Sequence, residues 1–334
     1  MPEHAALQEP TLQDRTVVIT GASSGIGRAA AHAFARQGAK LVLASRDEAA
    51  CQEVANQCRE LGGQAWVVPT DVTQGESLIR LAEQAQELTG SIDVWINNAG
   101  VGSVGAFEET PLEVHEQVIQ TDLLGYVRGA RAVLPHFKQR GAGILINTLS
   151  VGSWVAQPYA AAYSAAKFGL VGFTEALRGE LVQWPGIHVC DVYPAVIDTP
   201  GFRDGANFTG HELAPPPPRY EPEQVAAAMV GLALDPKSST TVGAAAHWLR
   251  LARFLTPGFS RLMGWGTARA IQRMPHSEPS TGNLFAPPSG PRHVHGGWKR
   301  SASLPAGPLI TCLAVVAVVG LAWSMNREDE RRNR

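Results

Sequence analysis

The sequence predicts an α/β protein: a doubly wound parallel sheet in a single domain, followed by a C-terminal helical extension and one transmembrane helix. Three observations carry that expectation. Short apolar runs alternate with helix-length segments from Thr16 to Val242. The runs are continuously apolar, the pattern of strands buried on both faces. A glycine-rich turn, Gly21 to Gly27, sits where the first run hands over to the first helical segment.

Taken in order, residues 1–13 read as a leader without the apolar stretch of a secretory signal. TVVIT, Thr16 to Thr20, is a β-branched strand. Arg28 to Gln37 continues from the glycine turn as an Ala-rich helix that Gly38 stops. Lys40 to Ala44 is the second strand, before a helix from about Asp47 to Leu61. Ala65 to Pro69 is the third, before a helix over Gln74 to Thr89. Ile92 to Asn97 is the fourth strand. Pro111, well placed in a first turn, opens a mostly helical stretch to Arg140. The fifth strand is Ile144 to Leu149, the next helix runs to about Trp184, and the sixth strand is Ile187 to Tyr193. An irregular segment with Pro215 to Pro218 leads to a helix over Glu221 to Leu234 and a last strand, Thr240 to Val242. Residues 14–243 are thus expected to form the catalytic domain. Ligands of such sheets bind beyond the carboxyl ends of the strands, where Asn97, Ser150 and Pro194 fall.

The formal charge of −2 argues against nucleic acid as the main partner. Cys51, Cys58, Cys190 and Cys312 have no metal-ligand spacing, so no metal is expected and a reducing compartment is. TGASSGIG, Thr20 to Gly27, has the chemistry of a pyrophosphate site. Glycines let the backbone come close, and a helix start offers free amides and a positive dipole end. An acidic residue about 20 positions past the glycines would hold ribose hydroxyls. That place carries Ser45 and then Arg46, and Arg28 adds a second cation. Two guanidinium groups suit a 2′-phosphate, so NADP(H) is the expected cofactor. Asp47 and Glu48 read as first-turn residues of the following helix.

Ser150 ends an apolar strand, and Tyr163 and Lys167 lie four residues apart on one helix face. A phenol has a pKa near ~10, and a lysine cation one turn away favours the phenolate. These groups suit proton transfer at an oxygen while a hydride moves at the attached carbon.

Together these stretches resemble the short-chain dehydrogenase/reductase family, of the common single-domain type with a Rossmann-like sheet. TGASSGIG resembles the family's cofactor turn, which implies that Gly21, Ser23, Ser24, Gly25, Ile26 and Gly27 contact the cofactor, with Arg28, Ser45 and Arg46. Asp71 and Val72 match an adenine-contacting pair. Asn97-Asn98-Ala99-Gly100 matches the NNAG motif, placing Asn98, Ala99 and Gly100 beside the cofactor. PAVIDT resembles the stretch near the nicotinamide and brings Pro194, Val196 and Thr199. Ser150, Tyr163 and Lys167 match the catalytic set. The resemblance implies that Tyr163 is the general acid in reduction and the base in oxidation. Lys167 would lower its pKa and hold the nicotinamide ribose, and Ser150 would polarise the carbonyl. The match covers about Gln13 to Gly243. Asp122, in QTDLLGY, stands where the family has a relay asparagine; it accepts hydrogen bonds but brings a charge and no amide donor. Ala195 stands where a glycine is usual.

Residues 244–275 interleave aromatic and apolar residues with Arg250, Arg253, Arg261, Arg269 and Arg273. This amphipathic extension reads either as a membrane-interface surface or as helices covering the substrate cleft. Residues 276–303 are rich in Pro, Gly and Ser and read as a linker. Residues 304–325, with the apolar core Leu309 to Met325, read as a transmembrane anchor, and 326–334 as a charged tail. The expected localisation is single-pass membrane attachment with the catalytic domain on the cytosolic side, and a lipid bilayer is an expected partner. The expected activity is NADP(H)-dependent interconversion of an alcohol and a ketone or aldehyde, on a lipophilic small molecule. The alternative is a catalytically weak NADP-binding scaffold or sensor, resting on Asp122. A homo-oligomer is left open.

Overall fold

The computed structural model describes residues 12–298. Its main sheet has seven parallel strands: β1 (Thr16–Thr20), β2 (Lys40–Ser45), β3 (Gln64–Pro69), β4 (Val94–Asn97), β6 (Gly143–Thr148), β7 (Ile187–Pro194) and β9 (Ser239–Val242). They lie in the order β3-β2-β1-β4-β6-β7-β9. The chain builds β1, β2 and β3 outward on one side, then crosses to β4 on the other. That reversal between β1 and β4 opens a crevice at the carboxyl ends of the strands. Two short strands, β5 (Ser103–Gly105) and β8 (Ala206–Phe208), pair in parallel above it.

Successive strand residues point to opposite faces, and each face has its own core. Val17, Ile19, Leu41 and Leu43 meet α1 (Gly25–Ala35), α2 (Glu48–Glu60) and α8 (Pro222–Leu234) on one side. Val18, Val42, Trp95 and Leu145 meet α3 (Gly75–Thr89), α5 (Gly125–Arg140) and α6 (Ala161–Glu180) on the other. The expected long helix before β6 is α4 (Leu112–Ile119) and α5, joined by a π-helical turn over Gln120–Leu124. A short helix, α7 (Gly201–Asp204), follows β7.

The extension forms α9 (Ala244–Leu255) and α10 (Phe259–Gln272). These helices pack on the turn after β6: Val155, Ala252 and Phe259 are buried together, with Trp154, Leu249 and Met263 against them. Arg250 lies 4.6 Å from the Trp154 ring centre. Phe254, Leu255 and Trp265 remain exposed.

Residues 276–298 carry the composition of a linker but lie fastened across the top of the sheet as a strap. Ser280 pairs with Asn207 of β8, and Asn283 N–H donates to Asp204 O at 2.8 Å. Leu284 is fully buried beside Val114 and Val118 of α4. Gly25 N–H donates to His293 O at 2.9 Å, and His295 Nε2 reaches Glu223 of α8 at 3.1 Å. Trp298 Nε1 donates to Thr199 O at 3.1 Å.

The membrane localisation is corrected. No helix among the described residues is long and apolar enough to cross a membrane. The longest, α6, carries Lys167, Glu175, Arg178 and Glu180 within its 20 residues. The anchor expected over 304–325 and the tail over 326–334 lie outside the described residues, as does all but the end of the leader.

Candidate active site

β6 ends at Thr148, so Ser150 stands just past the carboxyl edge of the sheet. Its Oγ accepts from Gly152 N–H at 3.0 Å, which caps the turn Val151–Ser153 and fixes the hydroxyl. α6 starts at Ala161, which puts Tyr163 in its first turn and Lys167 one turn on. The Ser150 side chain hydrogen-bonds the Tyr163 phenol. Lys167 is buried: Nζ donates to Thr148 O at 3.1 Å and lies 4.8 Å from the Tyr126 ring centre and 5.7 Å from that of Tyr163. The Tyr126 hydroxyl donates to the same carbonyl at 3.0 Å.

Asp122 completes the cluster from the π-helical turn, a feature that recurs at functional sites. Its Oδ1 accepts from Val101 N–H at 2.8 Å. Its Oδ2 lies 3.8 Å from Lys167 Nζ, an ion-pair contact too long for a hydrogen bond. Burial pushes Asp122 up to about 6, against the opposing pull of Lys167 and the Val101 amide. Burial lowers Lys167, with Asp122 opposing. Tyr163 is pushed up to about 12, first by burial and then by Asp122, while the Ser150 hydrogen bond lowers it. The expected depression of the phenol by Lys167 is therefore corrected. Burial dominates, the neighbouring carboxylate adds to it, and the ammonium is engaged by Asp122 and Thr148 O.

The glycine turn is built around close approach. Gly21 has φ +67°, and a Cβ there would lie 2.7 Å from Ala99 Cα. Asn98 Nδ2 donates to Thr20 O at 3.1 Å, and Thr20 Oγ1 accepts from Asn98 N–H at 3.0 Å and Ala99 N–H at 3.2 Å. α1 begins at Gly25 with no side chain capping its first amides. The cleft beside it is lined at the turn by Gly21, Ser23, Ser24, Gly25 and Ile26. Ser45, Arg46, Asp71 and Val72 line its far end, and Asn98, Ala99, Gly100 and Thr199 line it as well. It runs on into a second cleft, lined by Asp122, Ser150, Tyr163, Lys167, Pro194 and Val196. Ile26, Asn98, Gly100 and Thr199 line both. A helix start with no side-chain cap, where the strap's His293 O takes the Gly25 N–H, beside a turn with no room for a Cβ and opening toward Tyr163, fits a nicotinamide dinucleotide.

Two expected cofactor residues are not in that lining. A Cβ on Gly27 would meet Gly21 O at 2.1 Å, so this glycine serves the packing of turn on helix. Arg28 is buried and turned toward α2 and the strap. Its guanidinium pairs with Glu53, donates to Gln57 at 3.1 Å and donates to Arg292 O at 2.6 Å. One of the two cations expected at a 2′-phosphate is thus a packing strut. Arg46 stays at the cleft and donates to Leu284 O at 2.8 Å and Asn283 O at 2.5 Å.

The short chain dehydrogenase family model matches residues 15–207. The chain belongs to the short-chain dehydrogenase family. The uncharacterized oxidoreductase YxnA of Bacillus subtilis is 33% identical over 328 residues, which cover 94% of this chain and 90% of that protein. The 3beta-hydroxysteroid dehydrogenase 1 of Eggerthella lenta is 34% identical over 237 residues, covering 69% of this chain and 90% of that one. Among solved structures, an alcohol dehydrogenase of the archaeon Thermococcus sibiricus, complexed with 5-hydroxy-NADP, is similar with a TM-score of 0.59 and 28% identity. That similarity covers 68% of this chain and 95% of the archaeal one. As a short-chain dehydrogenase, the protein is an oxidoreductase acting on a CH–OH group.

Several lining residues of this short-chain dehydrogenase carry no motif. Gln157, Phe202 and Leu213 line the reaction cleft, and Asn283, Pro287, Pro288 and Arg292 of the strap line the cofactor cleft.

Proposed function

We propose that the protein is an NADP(H)-dependent oxidoreductase that interconverts a lipophilic alcohol and its ketone or aldehyde, with Tyr163 as the proton-transferring group. The observation that carries this reading is the meeting of Ser150, Tyr163 and Lys167 at one end of a cleft whose other end holds the glycine turn and Arg46. The nicotinamide cofactor, when bound, supplies or accepts the hydride. Ser150 donates a hydrogen bond to the substrate oxygen, where negative charge develops. Tyr163 gives its proton to that oxygen in reduction and takes it back in oxidation. Lys167 holds the nicotinamide ribose, and Asp122 holds Lys167 as an ammonium in its buried position. The turn from Gly21 to Ile26 binds the pyrophosphate, Asp71 and Val72 flank the adenine, and Arg46 faces the 2′-phosphate. Asn98, Ala99, Gly100, Pro194, Val196 and Thr199 surround the nicotinamide end.

A lipophilic substrate is supported by the walls of the reaction cleft, which include Val104, Leu149, Val151, Ile197, Phe202 and Leu213. The hydroxysteroid dehydrogenase among the relatives points the same way. The test is a panel of apolar and polar carbonyl compounds with NADPH and with NADH. Turnover of apolar ketones or aldehydes with NADPH is expected. Inertness toward every compound would favour a second reading, a nucleotide-binding scaffold. Asp122 is what favours that reading, since its charge opposes the phenolate of Tyr163. Activity gained by Asp122→Asn over an inert wild type would decide for it.

A further inference from the structure

We infer that Arg292, delivered by the strap, sets the choice of NADP(H) over NAD(H) by neutralising Asp47 at the end of β2. The inference rests on the reading that the chain takes NADP(H). A carboxylate at the end of the second strand of such a sheet accepts ribose hydroxyls and repels a 2′-phosphate. This chain has one. Asp47 follows Arg46 directly and lines the same cleft. Its Oδ1 caps α2 by accepting from Ala50 N–H at 3.0 Å. Its Oδ2 is taken by Arg292, whose Nε and Nη2 donate to it at 3.1 and 2.8 Å.

Arg292 is built into that position. Its side chain is 8% exposed and lines the cleft. Nη1 donates to Gly290 O at 2.9 Å and Nη2 to Pro288 O, so the strap's own carbonyls orient the fork. The backbone is fixed on either side: Arg292 O accepts from Arg28 and His293 O from Gly25 N–H. The ionisable side chains that line the cofactor cleft are Arg46, Asp47, Asp71, Asp204 and Arg292, with Asp204 paired to Arg203 outside that lining. Against Asp47 and Asp71, Arg46 alone leaves an excess of negative charge, which Arg292 removes. Arg28, the other cation near in sequence, is turned away and bonded to Glu53. A phosphate at this corner thus depends on a residue 245 positions from the carboxylate it masks.

The experiment measures binding of NADPH and NADH to the full chain by titration calorimetry. It compares wild type, Arg292→Met, Asp47→Asn and the double variant, with thermal midpoints recorded for each. In Arg292→Met the ratio of NADPH to NADH affinity should fall by about tenfold or more, the effect of one uncompensated charge at short range. Adding Asp47→Asn should restore the ratio. Asp47→Asn alone, which keeps a capping side chain, should preserve or raise it. If wild type shows no preference for NADPH, the cofactor reading beneath this inference fails. If wild type prefers NADPH and Arg292→Met keeps that preference, or loses both cofactors equally, the inference alone is overturned. Should Arg292→Met not fold, a collapse of the preference in Asp47→Asn overturns it independently.

Discussion

Asp122 Oδ2 and Lys167 Nζ lie 3.8 Å apart with both side chains buried, so the protein keeps a carboxylate and an ammonium together beside its reacting phenol. The Asp122 charge acts on both neighbours in opposite senses: it supports the cation of Lys167 and opposes the phenolate of Tyr163.

That opposition gives a signed pH prediction. Asp122→Asn removes one of the causes that raise Tyr163, so the phenol should ionise at lower pH. In alcohol oxidation, where the phenolate is the base, the limb of kcat/KM set by Tyr163 should move to lower pH in the variant. A second limb at about 6, where Asp122 itself ionises in wild type, should vanish. Profiles that superimpose would remove Asp122 from the site's electrostatics.

Tyr163→Phe should keep the fold and the cofactor affinity, because the phenol's hydrogen-bond partner Ser150 also accepts from Gly152 N–H. Turnover should fall by roughly 10²–10⁴-fold, the usual worth of a positioned acid or base. Steady-state rates with NADPH binding measured in parallel check this. Undiminished turnover would assign the proton to another group.

Gly21→Ala should destabilise the protein. The left-handed φ costs about 1–2 kcal/mol for a residue with a Cβ. The new methyl group would also press on Ala99 Cα, and overpacking costs about 1–3 kcal/mol more. A lower denaturant midpoint with weaker cofactor binding is expected; an unchanged midpoint would mean that the turn and the NNAG stretch relax apart.

Arg46→Ala should weaken NADPH more than NADH. It also leaves Asn283 O without its Arg46 donor and Leu284 O with Gln117 Nε2 as its remaining donor, so protease should cut more readily within 276–298. Comparison of cofactor affinities and of cleavage rates in wild type and variant checks both. Equal loss for the two cofactors would take Arg46 away from the 2′-phosphate.

The sheet was legible because its strands are buried on both faces. TVVIT and the central strands beside it are mostly apolar and buried, the outer strands β3 and β9 less so, and the sequence places all seven within a residue or two of their bounds. The glycine turn, NNAG and Ser150–Tyr163–Lys167 were legible because local spacing on a strand end and a helix face fixes their geometry. What escaped depends on contacts distant in sequence. Nothing in PPSGPRHVHGG says that Leu284 beside it is buried against α4 or that Arg292 reaches Asp47. The π-helical turn adds no residue type that distinguishes it from α-helix, so α4 and α5 read as one. Arg28 follows the glycines, but proximity along the chain does not say which way its guanidinium turns. The three-residue strands β5 and β8 are too short for a periodicity to register.

The strap also sets an order of assembly. A ribosome makes β1, α1 and β2 first, and the domain folds as a unit only once its later parts have emerged. The residues that wall the cleft beside them come last: Arg28 and the carbonyl of Arg292 are 264 positions apart. A nascent chain that has just released β9 holds every strand of the sheet and still lacks Asn283, Pro287, Pro288 and Arg292 from the side of its nucleotide cleft. The first unit of the fold is thus finished by nearly the last part of the described chain, and a message truncated after the sheet would encode a cleft with one wall missing.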